Sequence, residues 1–521
     1  MTSDPAANAN LFVALRAGFP RDLARIAIEV VDAGLHYTWD DLERATARLA
    51  NLLDSLDLPP ASRIAVQAEK SVESLLFYLA VLRAGHVYLP LNTAYKPDEV
   101  AYFLGDAEPA MFVCAPKDFV WASKRAFAAG TTYVFTLGDD RSGSLLERAG
   151  HFGDRHQPAV KKFGEMAAIL YTSGTTGRSK GAMLTHGNLL SNALTLKAHW
   201  AWRGPDDDGG DVLVHALPIF HVHGLFVASH GALIAGAKML WLDRFDARRV
   251  AGELPRATVF MGVPTLYVRL LAEPGFTRES CRGMRLFISG SAPLLLDTFA
   301  QFRERTGHVI LERYGMSETV MLTSNPYDGD RRGGTVGLPL PEVGLRVTGP
   351  DGQALGDGEV GAIEVRGPNV FMGYWRMPEK TKEEFTADGW FRTGDVGRID
   401  ERGYVTIVGR SKDLIISGGY NVYPAEIESV LNDLPGIAES AVVGVPHGDF
   451  GEAVVAVVVA REGATLVAEE LTATLKQRIA NFKVPKAVFV VPELPRNTMG
   501  KVQKNVLRER HAALFARGTV T

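Results

Sequence analysis

Short runs of β-branched and aromatic residues alternate with helical patterns through the first half of this chain, and that alternation restricts the fold more than any other feature. Runs at 63–67, 110–114, 133–137, 212–217, 238–242, 258–262 and 286–289 read as strands. Between them, residues 72–82 and 189–196 carry apolar positions at helical spacing, and Gly85 supplies a stop after the first of these. A chain that switches repeatedly between the two periods predicts an α/β fold with largely parallel sheets.

After Gly337 the texture changes. Glycine-punctuated runs such as 361–366 and 403–408 predict a smaller β-rich subdomain. From Gly409 a compact α+β unit follows: a strand, a helix over 425–432, a strand pair near 441–459 and a helix over 468–479. The main boundary is expected at 409–411. It separates an N-terminal domain, residues 1–409, of two α/β sheet subdomains plus the β-rich one, from a small C-terminal domain, residues 410–521. A length of 521 residues accommodates that division.

Composition removes several function classes. The balance of 56 basic and 60 acidic residues gives a net charge of −4 and no basic footprint for nucleic acid. Cys114 and Cys281 are the only cysteines, too few for a disulfide framework or a zinc site. The opening MTSDPAANAN lacks the basic and apolar regions of a secretory signal. Apolar stretches at 75–91 and 441–460 are broken by Arg83, Pro90, Asp449 and Glu452, so neither spans a bilayer. A cytoplasmic protein without a membrane partner is expected. The acidic segment 206–211 reads as a solvated surface turn.

The chemistry begins with LYTSGTTGRSKG at 170–181. Thr172, Ser173, Gly174, Thr175, Thr176 and Gly177 pack hydroxyls and backbone N–H groups into a turn almost free of side-chain bulk. Such a turn suits a polyphosphate, because glycine lets the backbone approach and consecutive N–H groups form an anion-binding concavity. Arg178 and Lys180 add positive charge. The segment is not a P-loop, since Ser179 rather than glycine precedes Lys180. Residues 166–171 read as the strand that feeds the turn, and 185–196 as the helix after it.

This segment resembles the phosphate-binding signature of the adenylate-forming superfamily, which includes acyl-CoA synthetases, luciferases and carrier-protein adenylation domains. Further motifs follow in the family's order, so the resemblance covers nearly the whole chain. In RYGMSET, the resemblance assigns Arg313, Tyr314, Gly315, Met316 and Ser317 to ATP, with the Tyr314 ring stacked on adenine. Glu318, together with Thr175, would hold Mg²⁺; a carboxylate beside phosphates is a usual ligand for that hard cation. Gly290, Ser291 and Ala292 of ISGSAPL also fall to the nucleotide. In GWFRTGDVGR, Asp395 corresponds to the carboxylate that accepts the ribose hydroxyls, and Arg410 contacts the same ribose or its phosphate. Lys412 occupies the hinge about which the small, mobile domain turns between half-reactions. Ser417, Gly418 and Gly419 correspond to the loop lining the CoA thiol tunnel. Lys501, in PRNTMGK, corresponds to the catalytic lysine that reaches the substrate carboxylate and α-phosphate.

His221 and His223 stand at i, i+2 without a third ligand nearby, so metal binding is set aside. In the family this segment gates the carboxylate pocket, which makes His221 a substrate-side and catalytic candidate. Arg269 follows the 258–262 strand on a helix, and Ser291 follows the 286–289 strand. HALPIFHVHGL, GVPTLYVRLL and ISGSAPL resemble the malonyl-CoA synthetase branch, where the matching arginine and serine grip the distal carboxylate of malonate. A second carboxylate needs such compensation, whereas a fatty-acid tunnel does not tolerate an unpaired arginine. The resemblance therefore implies a ligase that converts malonate, ATP and CoA into malonyl-CoA, AMP and pyrophosphate through a malonyl-adenylate. Methylmalonate differs by one methyl, worth only about 1–3 kcal/mol of discrimination, and stays in range. A ligase for another short-chain, aryl or fatty acid, loading of a free carrier protein, and a non-catalytic nucleotide sensor are the rival readings. Oligomeric state leaves no mark in the sequence.

Overall fold

Two large mixed sheets carry most of the N-terminal part of the chain. The computed structural model describes residues 8–172, 179–207, 209–417, 420–448, 450–497 and 500–515. Ser173, Gly174, Thr175, Thr176, Gly177, Arg178, Gly418 and Gly419 lie outside the described residues. The first sheet has a parallel centre in the order Ile26–Val30, Lys238–Trp241, Val212–His215, Val259–Gly262, Leu286–Ser289 and Leu311–Met316. Antiparallel strands close both edges, Leu35–Thr38 at one and Val320–Ser324 with Leu338–Pro339 at the other. The second sheet places Tyr133–Thr136, Met111–Cys114, Arg63–Gln67, Val87–Pro90 and Met166–Thr172 in parallel. Its far edge, Lys180–Thr185 and Gly373–Tyr374, is antiparallel. The alternation of periods thus predicts most of the parallel strands but misses Ile26–Val30, Val87–Pro90, Leu311–Met316 and the antiparallel strands at the sheet edges.

Every residue of the helix Val72–Arg83 is buried, which explains why its sequence is apolar all round rather than on one stripe. Ser71 caps it: its Oγ accepts from the Ser74 N–H at 3.1 Å, and Ser74 Oγ accepts from the Ser71 N–H at 3.0 Å. Gly85 stops it at φ +80°, a left-handed position that a Cβ would strain.

The expected helix after the Gly/Ser/Thr segment is present, but a strand precedes it that the sequence does not announce. The Gly/Ser/Thr segment does not lead directly into a helix; the strand Lys180–Thr185 comes first and pairs back along Met166–Thr172, with Thr172 opposite Lys180. The helix runs from His186 to His199, and Thr185 Oγ1 caps it by accepting from the Asn188 N–H at 3.0 Å. The strands flanking that segment pair antiparallel, which holds Thr172 and Lys180 across from each other.

A four-stranded antiparallel sheet follows, Gly344–Thr348, Gly361–Arg366, Phe391–Ile399 and Val405–Arg410. The C-terminal sheet pairs Tyr420–Val422, Ile415–Ser417, Gly451–Ala460 and Ile437–His447 antiparallel, with Ala487–Val491 parallel on Gly451–Ala460. Helices Pro424–Asn432, Ala468–Arg478 and Lys504–His511 accompany it. No helix among the described residues is long and apolar enough to cross a membrane.

The acidic segment is not a solvated turn throughout. The Asp211 side chain is fully buried, and Arg285 Nε donates to its Oδ1 at 2.7 Å. Thr258 Oγ1 donates to the same oxygen at 2.8 Å. Arg285 stands 74 residues away, so only the fold reveals why Asp211 is inside. Asp211→Ala would strand a buried guanidinium, and we expect a loss of about 3–5 kcal/mol, read as a lowered denaturation midpoint. A midpoint unchanged from wild type would mean that the pair is dispensable.

Candidate active site

Parallel strands aim their carboxyl ends at one side of a sheet, and ligands of open α/β sheets bind just beyond those ends. In the first sheet, the segment past Val212–His215 carries His221 and His223, and the helix Pro264–Ala272 past Val259–Gly262 carries Arg269. Gly290 and Ser291 follow Leu286–Ser289 directly, while Arg313 and Tyr314 lie on Leu311–Met316. Six of the sequence candidates, His221, Arg269, Gly290, Ser291, Arg313 and Tyr314, are thus gathered by topology alone.

Arg313 is the most informative of them. It is 2% exposed, and its Nε and Nη2 have no hydrogen-bond partner among the described residues. Burial lowers its pKa to about 9, so it stays charged at neutral pH. A buried, unpaired cation is costly and calls for a compensating anion. Gly290 makes room for it: a Cβ there would sit 2.6 Å from the guanidinium carbon. Beside it Ser291 holds φ +72°, a strain of about 1–3 kcal/mol for a residue other than glycine, of the kind that collects at functional sites. Ser291 Oγ lies 3.4 Å from His223 Nδ1.

His223 opens a π-helix, His223–Ser229, a form that sequence periodicity does not predict and that recurs at functional sites. His215 anchors this turn, its Nε2 lying 3.1 Å from the Gly224 carbonyl and 3.0 Å from Ser229 Oγ. His223 is buried with Nε2 unpartnered among the described residues. Burial, reinforced by Arg313, pushes its pKa well down. Burial and then Lys501 lower His221 to about 3. Both imidazoles are neutral.

Arg269 is exposed, with no ion-pair partner among the described residues. It stands one turn beyond Thr265, and a Cβ on Gly500 would come within 3.9 Å of Thr265 Oγ1. The helix face bearing Arg269 therefore borders the turn that presents Lys501. Ala292 is exposed; Met316 and Ser317 are half-buried beside Tyr314. Gly315 is packed too tightly for any side chain, with a Cβ falling against the Val320 carbonyl.

Asp395 and Arg410 face each other across paired strands. Asp395 is 3% exposed; its Oδ1 accepts from Arg410 Nε at 2.7 Å, and its Oδ2 accepts from the Tyr314 hydroxyl. Burial raises its pKa against the pull of Arg410. Glu318 is 5% exposed and raised by burial, with the Tyr374 hydroxyl donating to Oε1 at 2.9 Å. Lys501 comes from the C-terminal unit on a turn closed by reciprocal bonds with Asn497, both 2.9 Å, and by Gly500 at φ +73°. It is exposed along the cleft, yet the surrounding protein lowers its pKa, aided by Arg410 and opposed by Asp395 and Glu318. It shares the electrostatic field of Arg313 and His221 as well.

At the other end of the cleft, Thr172 Oγ1 donates to the Lys180 carbonyl at 3.4 Å. Lys180 Nζ lies 4.3 Å from the Tyr374 ring centroid and 3.6 Å from Glu384 Oε1. Lys412 is exposed in the turn Ser411–Asp413, directly after Arg410. Ser417 is buried in the C-terminal sheet, paired with Tyr420 and Gly451 rather than with cleft residues. Sequence reasoning missed Tyr374. Its sequence signal is the Gly-Tyr pair, in which Gly373 takes φ +132° within a short strand.

A sequence profile described as AMP-binding enzyme matches residues 17–375, and one described as AMP-binding enzyme C-terminal domain matches residues 426–501. The chain belongs to the AMP-binding enzyme family. This AMP-binding enzyme is an ATP-dependent, AMP-forming acid–CoA ligase of the adenylate-forming superfamily, with ATP and CoA as co-substrates. It is 36% identical over 480 residues to a malonate–CoA ligase of Arabidopsis thaliana, covering 86% of this chain and 78% of the relative. It is 34% identical over 489 residues to a feruloyl-CoA synthase of an Amycolatopsis species, covering 93% and 96%. Among solved structures, ATP-bound MatB from Rhodopseudomonas palustris superposes with a TM-score of 0.94 at 54% identity, covering 98% of this chain and 100% of that one. The apo form of the same protein, with the same coverage, gives 0.82.

Proposed function

We propose that this AMP-binding enzyme joins malonate to CoA. The observation that carries the reading is Arg313: a buried, unpaired guanidinium beside Ser291 and His223 at the acyl end of the cleft suits a substrate that brings its own second carboxylate. Arg269, on the exposed helix face, is a second cation for the same group. The malonate–CoA ligase relatives support this assignment.

In the first half-reaction one malonate carboxylate oxygen attacks the α-phosphorus of ATP, the bond to the β-phosphate breaks, and pyrophosphate leaves. In the second, the CoA thiolate sulfur attacks the mixed-anhydride carbonyl and AMP leaves with the bonding electrons. Lys501 stabilises the charge that grows on the α-phosphate and the attacking carboxylate, the kind of electrostatic placement that dominates phosphoryl chemistry. His221, neutral, borders the reacting carboxylate. Asp395 and Arg410 receive the ribose, Tyr314 the adenine, and the segment from Thr172 to Lys180 the phosphates, with Gly290–Ala292 and Tyr314–Ser317 closing the nucleotide side. The donor set fits Mg²⁺: Glu318 is a buried carboxylate with one oxygen held by a hydroxyl and no cation paired to it among the described residues. Glu318 and Thr175 would hold the ion, which when bound neutralises phosphate charge. Lys412 serves as the hinge between residues 1–409 and 410–521, and Ser417–Gly419 line the thiol tunnel in the second arrangement.

The test is a pyrophosphate-release panel with ATP, Mg²⁺ and CoA. Malonate is expected to lead, with methylmalonate next; butyrate, ferulate and long-chain acids should trail far behind. Preference for ferulate would favour the aryl-ligase reading that the Amycolatopsis relative suggests, and no release with any acid would favour a nucleotide sensor.

A further inference from the structure

Tyr374 touches two groups of the phosphate end, and the reaction scheme leaves it idle. Its hydroxyl donates to Glu318 Oε1 at 2.9 Å within the protein interior. Its ring lies under the Lys180 ammonium, 4.3 Å from centroid to Nζ. The side chain is itself fixed. Gly373–Tyr374 pairs with Lys180–Thr185, Tyr374 opposite Ala182, and the Tyr374 N–H donates to Thr381 Oγ1 at 2.9 Å. The neighbouring Phe371 N–H donates to the Glu318 carbonyl at 2.8 Å, so the same segment grips both backbone and side chain of Glu318.

We propose that Tyr374 is a positioning residue that pre-sets the metal-binding carboxylate and the phosphate-binding ammonium relative to each other. This rests on the reading of Glu318 as the Mg²⁺ ligand. A glutamate loses rotamer freedom when it binds a cation; a hydroxyl on Oε1 removes that freedom beforehand and leaves Oε2 for the ion. The ring holds Lys180 by cation–π attraction where Glu384, 3.6 Å away, would otherwise draw it off the cleft. Two functions on one side chain can be separated, because phenylalanine keeps the ring and drops the hydroxyl.

The experiment measures Mn²⁺ binding to the enzyme–ATP complex by electron paramagnetic resonance, and ATP binding in excess chelator by calorimetry. Tyr374→Phe is expected to weaken Mn²⁺ about 10- to 100-fold, the usual cost of losing a partner of a metal ligand, with metal-free ATP affinity unchanged. Tyr374→Leu should weaken Mn²⁺ equally and also weaken metal-free ATP by about two- to thirtyfold, as the ring is lost. In a Glu318→Gln background, Tyr374→Phe should add nothing to the metal defect. Equal Mn²⁺ affinity in wild type and Tyr374→Phe overturns the inference. So does a matched loss of metal and ATP affinity in Tyr374→Phe, which would mark a packing role. If the wild type shows no ATP-dependent Mn²⁺ binding, the metal assignment of Glu318 falls first and this inference with it.

Discussion

Lys501→Ala is expected to lower adenylate formation by about 100- to 1,000-fold while leaving CoA transfer from supplied malonyl-AMP much less affected. The motive is placement. Lys501 enters the cleft from the C-terminal unit and sits within the field of Glu318, Asp395, Arg313 and His221, where the first half-reaction gathers its negative charge. A point charge there acts only while the C-terminal unit holds this arrangement. Lys501→Arg keeps the charge but replaces a compact ammonium with a planar fork, so partial activity is expected. The two half-reactions are measured separately, by pyrophosphate exchange and by thioester formation from synthetic adenylate. Equal loss in both would show that Lys501 serves the whole cycle or merely the fold.

Arg313→Met should lower kcat/KM for malonate by about 30- to 5,000-fold, because the distal carboxylate would lose a charged partner inside the protein. Methionine keeps an unbranched stem, so packing changes little and butyrate should lose far less or even gain. Arg269→Met is expected to cost only about two- to fivefold, since an exposed cation shares its substrate with water. Ser291→Ala should fall between them, as a neutral hydrogen bond contributes less than a charged one. Measuring malonate and butyrate on all three variants decides the ranking. Near-normal malonate turnover by Arg313→Met removes the physical basis for a dicarboxylate substrate; a larger effect at Arg269 would move the anchor to the helix face.

Much of the fold was legible because strand and helix periods are local. The strands Leu286–Ser289 and Gly361–Arg366 coincide with the expected ranges, each bounded by glycine or a change of period. Lys180–Thr185 was not, since KGAMLT is a short edge-type run directly before a strong helix start. Nor was the π-helix at His223, whose turn depends on His215 and Ser229 closing on Gly224. In the site, motifs named Asp395, Arg410 and Glu318, but their partners came from pairings across the chain: Asp395 meets Arg410 by strand register, and Glu318 meets Tyr374 56 residues away. Arg313 shows the limit most clearly. Its position in RYGMSET points to the nucleotide, and its burial and unpartnered nitrogens call for an anion, which we propose to be the distal carboxylate.

The contact between Gly290 and Arg313 also sets the order in which this pocket could be rebuilt by mutation. While the arginine stands, any side chain at 290 must displace the guanidinium from its seat, so such a change is expected to weaken the proposed preference before a new one exists. Once position 313 has shrunk, the same change fills the vacated space and tightens an apolar pocket. One substitution is harmful or useful according to what preceded it. If the proposed diacid preference holds, a change toward monoacid specificity is expected to pass through position 313 first, and libraries that vary position 290 alone are expected to find mainly losses.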